Sequence, residues 1–251
     1  MLGPFKRLFV RNASRRDFDD IEAWARRRGH GFKRVRADDG FVIDGLLEGK
    51  PWRIEWGPPQ RAYIDGHELR LRMELDLSGD AQMLLLSRPL MDSLERKTFE
   101  EFTDNVQTQI GTKTPEEMRW LVMFPKVNLG AWRLLRARFG AVASVPLSGL
   151  AWIEGPLAHL LEQATDNLLQ GDPPFVLMTL RGRAYLRLQL AVPTADALAA
   201  ALAIFETAAT QAMRTVGGGV ATPDDSRLAS GNTAWQSFPP DDGAAPADKP
   251  H

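Results

Sequence analysis

The stretch Glu68-Leu69-Arg70-Leu71-Arg72-Met73-Glu74-Leu75-Asp76-Leu77 alternates charged and apolar side chains without a break. Successive side chains of an extended chain point to opposite faces, so this spacing predicts a strand over 68–77 with one face in a core and the other in water, as in an antiparallel sheet. Upstream, Trp52, Ile54 and Trp56 alternate with Arg53 and Glu55 in the same way. Downstream, Met83 to Leu86 form a continuous apolar run, which suits a strand covered on both faces. Between these runs stand the turn dipeptides Asp39-Gly40, Glu48-Gly49, Asp65-Gly66 and Ser78-Gly79. Dipeptides ending in Gly favour the positive φ that tight hairpin turns require. About five antiparallel strands in succession, a β-meander over roughly residues 32–87, are therefore expected.

Helical spacing frames this region. Ser14 followed by Asp17, with Phe18, Ile21 and Ala25 three to four residues apart, predicts a first helix over 14–29. After the meander, Pro89 opens a helical region, and Thr114-Pro115-Glu116-Glu117 starts a further helix by combining a capping pattern with proline at the first turn. Trp132, Leu135 and Phe139 predict a helix over 130–139 stopped by Gly140, and Pro156 opens one that runs to about Gln170. Phe175 to Leu180 and Ala184 to Val192 read as a second β-hairpin, about residues 174–192, around Arg181-Gly182. A long alanine-rich helix over 194–216 closes the pattern. The expected class is α+β: a meander, a second hairpin and about six helices.

Residues 1–216 are expected to form a single α+β domain or two similar halves, 1–110 and 111–216. At an offset of 134, Phe41, Val42, Leu46, Arg53 and Pro59 match Phe175, Val176, Leu180, Arg187 and Pro193, the basis for a diluted duplication of a helix-hairpin unit. Residues 217–251, acidic and rich in Gly, Pro and Ala, read as a disordered tail. Within it, Trp235 and Phe238 are candidate anchors for docking on binding.

With 44% hydrophobic and 25% charged residues, the 251-residue chain has the composition of an ordinary globular protein. The absence of cysteine excludes disulfides, thiolate zinc sites, iron–sulfur clusters and thiol nucleophiles. No run of about 18 apolar residues predicts a transmembrane segment, and the first residues lack a secretory pattern, so a cytoplasmic protein is expected. Net charge is −1, yet residues 1–36 hold eleven Lys/Arg against four Asp/Glu. Arg26, Arg27, Arg28, Lys33, Arg34 and Arg36 make this head a candidate surface for nucleic acid or an anionic membrane, beside the plainer reading of a solvated surface.

Enzyme templates find little. No nucleophile elbow, phosphate-binding glycine loop, dinucleotide fingerprint or two-histidine zinc helix is present. His30, His67, His159 and His251 share no metal-ligand spacing, and no cofactor is implied. The carboxylate pairs Glu74/Asp76 and Glu116/Glu117 are candidates for acid–base work, but a solvated strand face and a favourable helix start account for them more simply. Asp76-Leu77-Ser78-Gly79-Asp80-Ala81 resembles the D-x-S-x-x-G segment of PilZ domains, and the resemblance implies binding of cyclic di-GMP. Ala81 stands at the family's glycine, however, and its R-x-x-x-R appears only as Arg7/Arg11 or Arg11/Arg15, far upstream; a Ser-Gly turn explains the six residues.

Arg53, Arg70, Arg72, Arg183 and Arg187 all fall on the polar side of alternating strands, and guanidinium groups suit bidentate recognition of phosphate or carboxylate. Glu55, Glu68, Glu74 and Asp76 are interleaved, so cross-strand ion pairing competes with anion binding. The leading functional expectation is a non-enzymatic binding or protein-interaction module with a protein partner, or a homodimer formed through the alanine-rich helix or an open sheet edge. The alternatives are a hydrolase-like enzyme with a dispersed Asp/Glu/His site, and a binder of nucleic acid or another anionic ligand.

Overall fold

The computed structural model describes residues 18–35, 39–104 and 115–217, with side chains placed through residue 100 in the second stretch. The expected strands form and, with an unexpected one at Phe139–Ala143, join one eight-stranded antiparallel sheet: β1 Gly31–Val35, β2 Gly40–Leu47, β3 Lys50–Gly57, β4 Glu68–Glu74, β5 Met83–Ser87, β6 Phe139–Ala143, β7 Phe175–Leu180 and β8 Arg183–Gln189. Their order across the sheet is β1-β2-β3-β4-β8-β7-β5-β6. The meander runs unbroken from β1 to β4, and the second hairpin, β7–β8, then stands between β4 and β5. The two β regions thus share one sheet, with β4 pairing with β8 from Glu68↔Gln189 to Glu74↔Arg183.

Seven helices complete the described fold: α1 Asp19–Arg27, α2 Arg88–Asp104, α3 Glu116–Met123, α4 Arg133–Arg138, α5 Pro146–Ile153, α6 Pro156–Ala164 and α7 Ala195–Gly217. One sheet face carries the larger core. There Ile43, Ile54, Leu71 and Leu186 meet Trp24 of α1, Trp152 of α5, Leu161 of α6 and Phe205 of α7. The opposite face is covered only in part among the described residues, where Leu90 and Leu94 of α2 and Met118 and Trp120 of α3 pack on Leu84 and Leu86 of β5 and on Val142 and Val176. That asymmetry explains the sequence patterns. Strands β5 and β7 are buried on both sides and read as apolar runs, whereas β3, β4 and β8 alternate because, among the described residues, one of their faces has no helix over it.

Two hairpin turns repay the glycine reading. Glu48 and Gly49 have φ of 50° and 80°, and Arg181 and Gly182 have 51° and 74°, the paired positive values of a type I′ turn. At the offset of 134 the pairings of the two hairpins do not coincide, since Phe41 faces Trp56, whose counterpart is Leu190, while Phe175 faces Leu188.

Several boundaries move for physical reasons. The 68–77 strand stops at Glu74; Leu75 N still donates to Gly182 O at 2.7 Å, but Asp76 turns to φ 55° and breaks the extended run. Of the expected 14–29 helix, Asp19–Arg27 is helical, with Phe18 at its N-cap position, and the Ser14 cap lies outside the described residues. The 130–139 helix shortens to Arg133–Arg138, because Phe139 enters β6, a strand whose pattern is masked by Gly140 and three small or branched residues. The 156–170 helix ends at Ala164 and continues as turns, β8 ends at Gln189 rather than Val192, and α5 was not expected. The alanine-rich face of α7, including Ala201, Ala208, Ala209 and Ala212, is buried within the chain, and Trp152 Nε1 donates to Ala208 O at 2.9 Å.

Candidate functional site

Because directly opposed residues share a face, the pairing of β3, β4 and β8 sets out the charged surface in rows. Asp44, Arg53, Arg72 and Tyr185 form one row across β2, β3, β4 and β8, and Glu55, Arg70 and Arg187 form the next. Glu74 faces Arg183 at the rim. All five sequence-predicted arginines are therefore brought onto one half of a sheet face, the half that α2 and α3 leave uncovered among the described residues.

The rows place like charges side by side, Arg53 against Arg72 and Arg70 against Arg187, an arrangement that is unfavourable unless carboxylates intervene. For the second pair the carboxylate is Glu68, fully buried, which accepts from Arg187 Nη1 at 2.6 Å, Arg70 Nη1 at 3.3 Å and Gln60 N at 2.6 Å. Arg53 donates through Nε to Asp44 at 2.7 Å, and that bond together with the Asp44 charge raises its already high pKa. Arg183 donates to Glu74 at 2.5 Å. Arg72 differs: its Nη2 reaches Glu55 only at 3.7 Å, beyond hydrogen-bond length, and its side chain is 58% exposed. Two adjoining depressions, of about 120 and about 380 Å³, have Arg53, Arg72 and Tyr185 in the walls of both.

A second ionic cluster was not legible in the sequence. Glu117, at the start of α3 where a solvent-facing carboxylate is expected, is fully buried and accepts from Tyr63 Oη at 2.9 Å and Arg61 Nε at 3.1 Å. Burial and the Glu117 charge push the Tyr63 hydroxyl well above its ordinary pKa. Burial works against the Arg61 charge, but Glu117, Tyr63 and Glu68 together raise its pKa. The cluster ties the loop after β3 to α3. Its partner Glu116 instead pairs with Arg119 and, at 3.5 Å, with Arg181.

The remaining candidates are dispersed. Asp76 pairs with Lys50 and lies in a loop, away from the row that Glu74 occupies. Asp80 N donates to Ser78 Oγ at 3.3 Å and Gln82 Nε2 to Gly79 O at 3.2 Å, so the PilZ-like segment is a self-bonded turn; Arg7, Arg11 and Arg15 lie outside the described residues. In the basic head, Arg26 pairs with Glu22, Arg34 with Asp19, and Arg28 lies over the Trp24 ring, while Arg36 is outside the described residues. Trp235, Phe238 and His251 are likewise outside them.

Each described histidine packs on a different tryptophan: His67 stacks on Trp56 at 4.3 Å, His30 meets Trp52 edge-on at 4.7 Å, and His159 meets Trp132 at 5.4 Å. Among the described residues no group of three or more His, Asp and Glu side chains is placed to hold a metal. Burial, and secondarily the Arg28 charge, lowers the His30 pKa below 6.5. The folded state therefore resists protonation at His30 relative to the unfolded chain, and this contribution to stability falls as pH drops from 6.5 through the folded pKa. Arg28→Ala is expected to move the His30 midpoint upward but not fully to 6.5, since burial is the larger cause; an NMR titration of the ring protons measures it.

No family model matches the chain, and no curated protein matches it either. Among solved structures, the crystal structure of the mycobacterial trehalose monomycolate transport factor A, TtfA, is similar at 7% identity and a TM-score of 0.46, over 79% of this chain and 94% of that one. Likeness at that level transfers no function. Among the described residues no helix is long and apolar enough to cross a membrane.

Proposed function

We propose that this chain is a binding module that holds an anionic partner on the uncovered half of the sheet formed by β2, β3, β4 and β8. The observation that supports the reading is the convergence of Arg53, Arg70, Arg72, Arg183 and Arg187 on that half-face, carried by rigid central strands rather than by loops. Their interleaved carboxylates are Asp44, Glu55, Glu68 and Glu74, so the five guanidinium groups exceed the acids by one charge. A sheet face studded with ion pairs along several strands suits an extended acidic segment of a partner protein. Such a surface gains most of its attraction at long range, where charge complementarity raises the encounter rate.

A fluorescently labelled Asp/Glu-rich peptide is expected to bind the full chain at an ionic strength of about 0.01 M, where the Debye length is about 30 Å, and to weaken steadily as salt approaches 0.15 M. A labelled oligonucleotide of equal charge forms the second arm. Absence of peptide binding at low salt would overturn the proposal, and preference for the oligonucleotide would move the function to nucleic-acid recognition.

A further inference from the structure

The half-face contains the same device twice, once completed and once not. Arg70 and Arg187 stand directly opposite each other on β4 and β8, and the buried Glu68 carboxylate bridges them, with one oxygen on Arg187 and the other on Arg70. Arg53 and Arg72 stand directly opposite each other on β3 and β4, yet no described carboxylate hydrogen-bonds both, although the Glu55 charge lies near the two of them. Each neighbouring acid is committed elsewhere or falls short. Asp44 bonds Arg53 alone, Glu74 bonds Arg183, and Glu55 lies 3.4 Å from Arg70 Nη2 and 3.7 Å from Arg72 Nη2. Glu74 sits two residues beyond Arg72 on β4, as Glu68 sits two residues before Arg70, so the strand does place an acid symmetrically; its pairing with Arg183 across the strand removes it.

We infer that a carboxylate supplied by the partner completes the second bridge, seated between Arg53 and Arg72 beside Tyr185, as Glu68 completes the first; this rests on the reading of the half-face as a binding surface. Three features favour that position over the rest of the face. The Arg72 side chain is 58% exposed, and a planar guanidinium fork suits a bidentate carboxylate. Arg53 directs Nε and Nη2 at Asp44, at 2.7 and 3.4 Å, which leaves its other terminal nitrogen for the incoming group. Both depressions on the face meet at these two arginines and Tyr185, so the carboxylate has room above the row. Arg70 and Arg187, by contrast, are only 16% and 13% exposed and already share their acid. The occupant is an Asp or Glu side chain of a partner segment, because the internal template is itself a carboxylate.

The test uses the full chain and a labelled Glu-rich peptide at low salt, with inorganic phosphate as a competitor. Arg72→Gln is expected to weaken peptide binding about tenfold or more, in line with the loss of a hydrogen bond to a charged group. Arg72→Lys is expected to recover only part of it, since an ammonium cannot reproduce the fork. Glu55→Gln removes the weak competitor for Arg72 and is expected to tighten binding. If the peptide binds but Arg72→Gln binds as the parent does, while Arg183→Gln loses affinity, the bridge is wrong and the binding surface stands. If phosphate displaces the peptide at micromolar concentration, the ligand chemistry is phosphate and the carboxylate assignment fails. If no peptide binds the parent chain, the surface itself is refuted. Thermal unfolding of each variant keeps a folding defect separate from a binding defect, and a pair of equally stable variants decides the matter.

Discussion

Glu68→Ala is expected to lower the free energy of unfolding by about 3–5 kcal/mol, the range for removing one partner of a buried ion pair. The Glu68 side chain has no exposed surface, and the two arginine side chains it bridges are only 16% and 13% exposed. Without it, two like charges face each other across β4 and β8 with little water to screen them, and the Gln60 N–H loses its acceptor. The same substitution at Glu74, whose pair with Arg183 is about half exposed on both sides, is expected to change stability by no more than about 1 kcal/mol. Urea unfolding of the two variants side by side measures the contrast. Replacing Glu68, Arg70 and Arg187 together by apolar residues is expected to be milder than losing Glu68 alone, because no buried charge is then left unpaired. A Glu68 loss as small as that at Glu74 would show that the network is solvated.

Trp56→Ala is the second large loss, about 3–5 kcal/mol by the usual range for truncating a buried aromatic. The indole is 2% exposed, stacks with Phe41 at 5.8 Å and His67 at 4.3 Å, meets Phe18 edge-on at 5.8 Å, and donates from Nε1 to Leu190 O at 2.8 Å. That hydrogen bond joins β3 to the chain just after β8, so one side chain holds the first hairpin, α1 and the return from the second hairpin. Trp56→Phe keeps a ring and loses the bond, for which about 0.5–1.5 kcal/mol is expected, plus a smaller packing loss. The His67 ring protons report the geometry independently. They lie over the indole in parallel stacking, and their resonances should move downfield when the Trp56 ring is removed. Unchanged His67 shifts in Trp56→Ala would contradict the stacked arrangement.

The charged half-face was legible as a set of residues before it was legible as a surface. Alternation alone assigned Arg53, Arg70, Arg72, Arg183 and Arg187 to the polar sides of their strands. Which carboxylate meets which arginine was not readable, because β4 and β8 are separated by more than a hundred residues and their register is set by the joint burial of Leu69, Leu71, Leu186 and Leu188. Glu117 was misplaced for a related reason. A first-turn glutamate ordinarily faces water and the helix dipole, and nothing local announces that the loop bearing Arg61 and Tyr63 folds over it. Strand β6 escaped notice because Phe139-Gly140-Ala141-Val142-Ala143 carries no alternation: it is buried on both faces, and its glycine stands where a Cβ would lie 2.0 Å from Met91 Sδ.

By itself the run Glu68 to Leu77 determined that this protein contains an antiparallel sheet with one wet face, since a two-residue period admits no other regular structure. It also determined which side chains that face would carry. The tertiary structure decided that the run ends at Glu74, that the second hairpin inserts beside it, and that Glu68, charged and on the polar side of the alternation, is the most buried acid of that half-face. Local sequence fixes the direction in which each side chain points. Whether that direction leads to water depends on neighbours, some of them more than a hundred residues away: here β8 brings Arg187 to Glu68 beside the local Arg70, while among the described residues Arg72 has no hydrogen-bonded carboxylate.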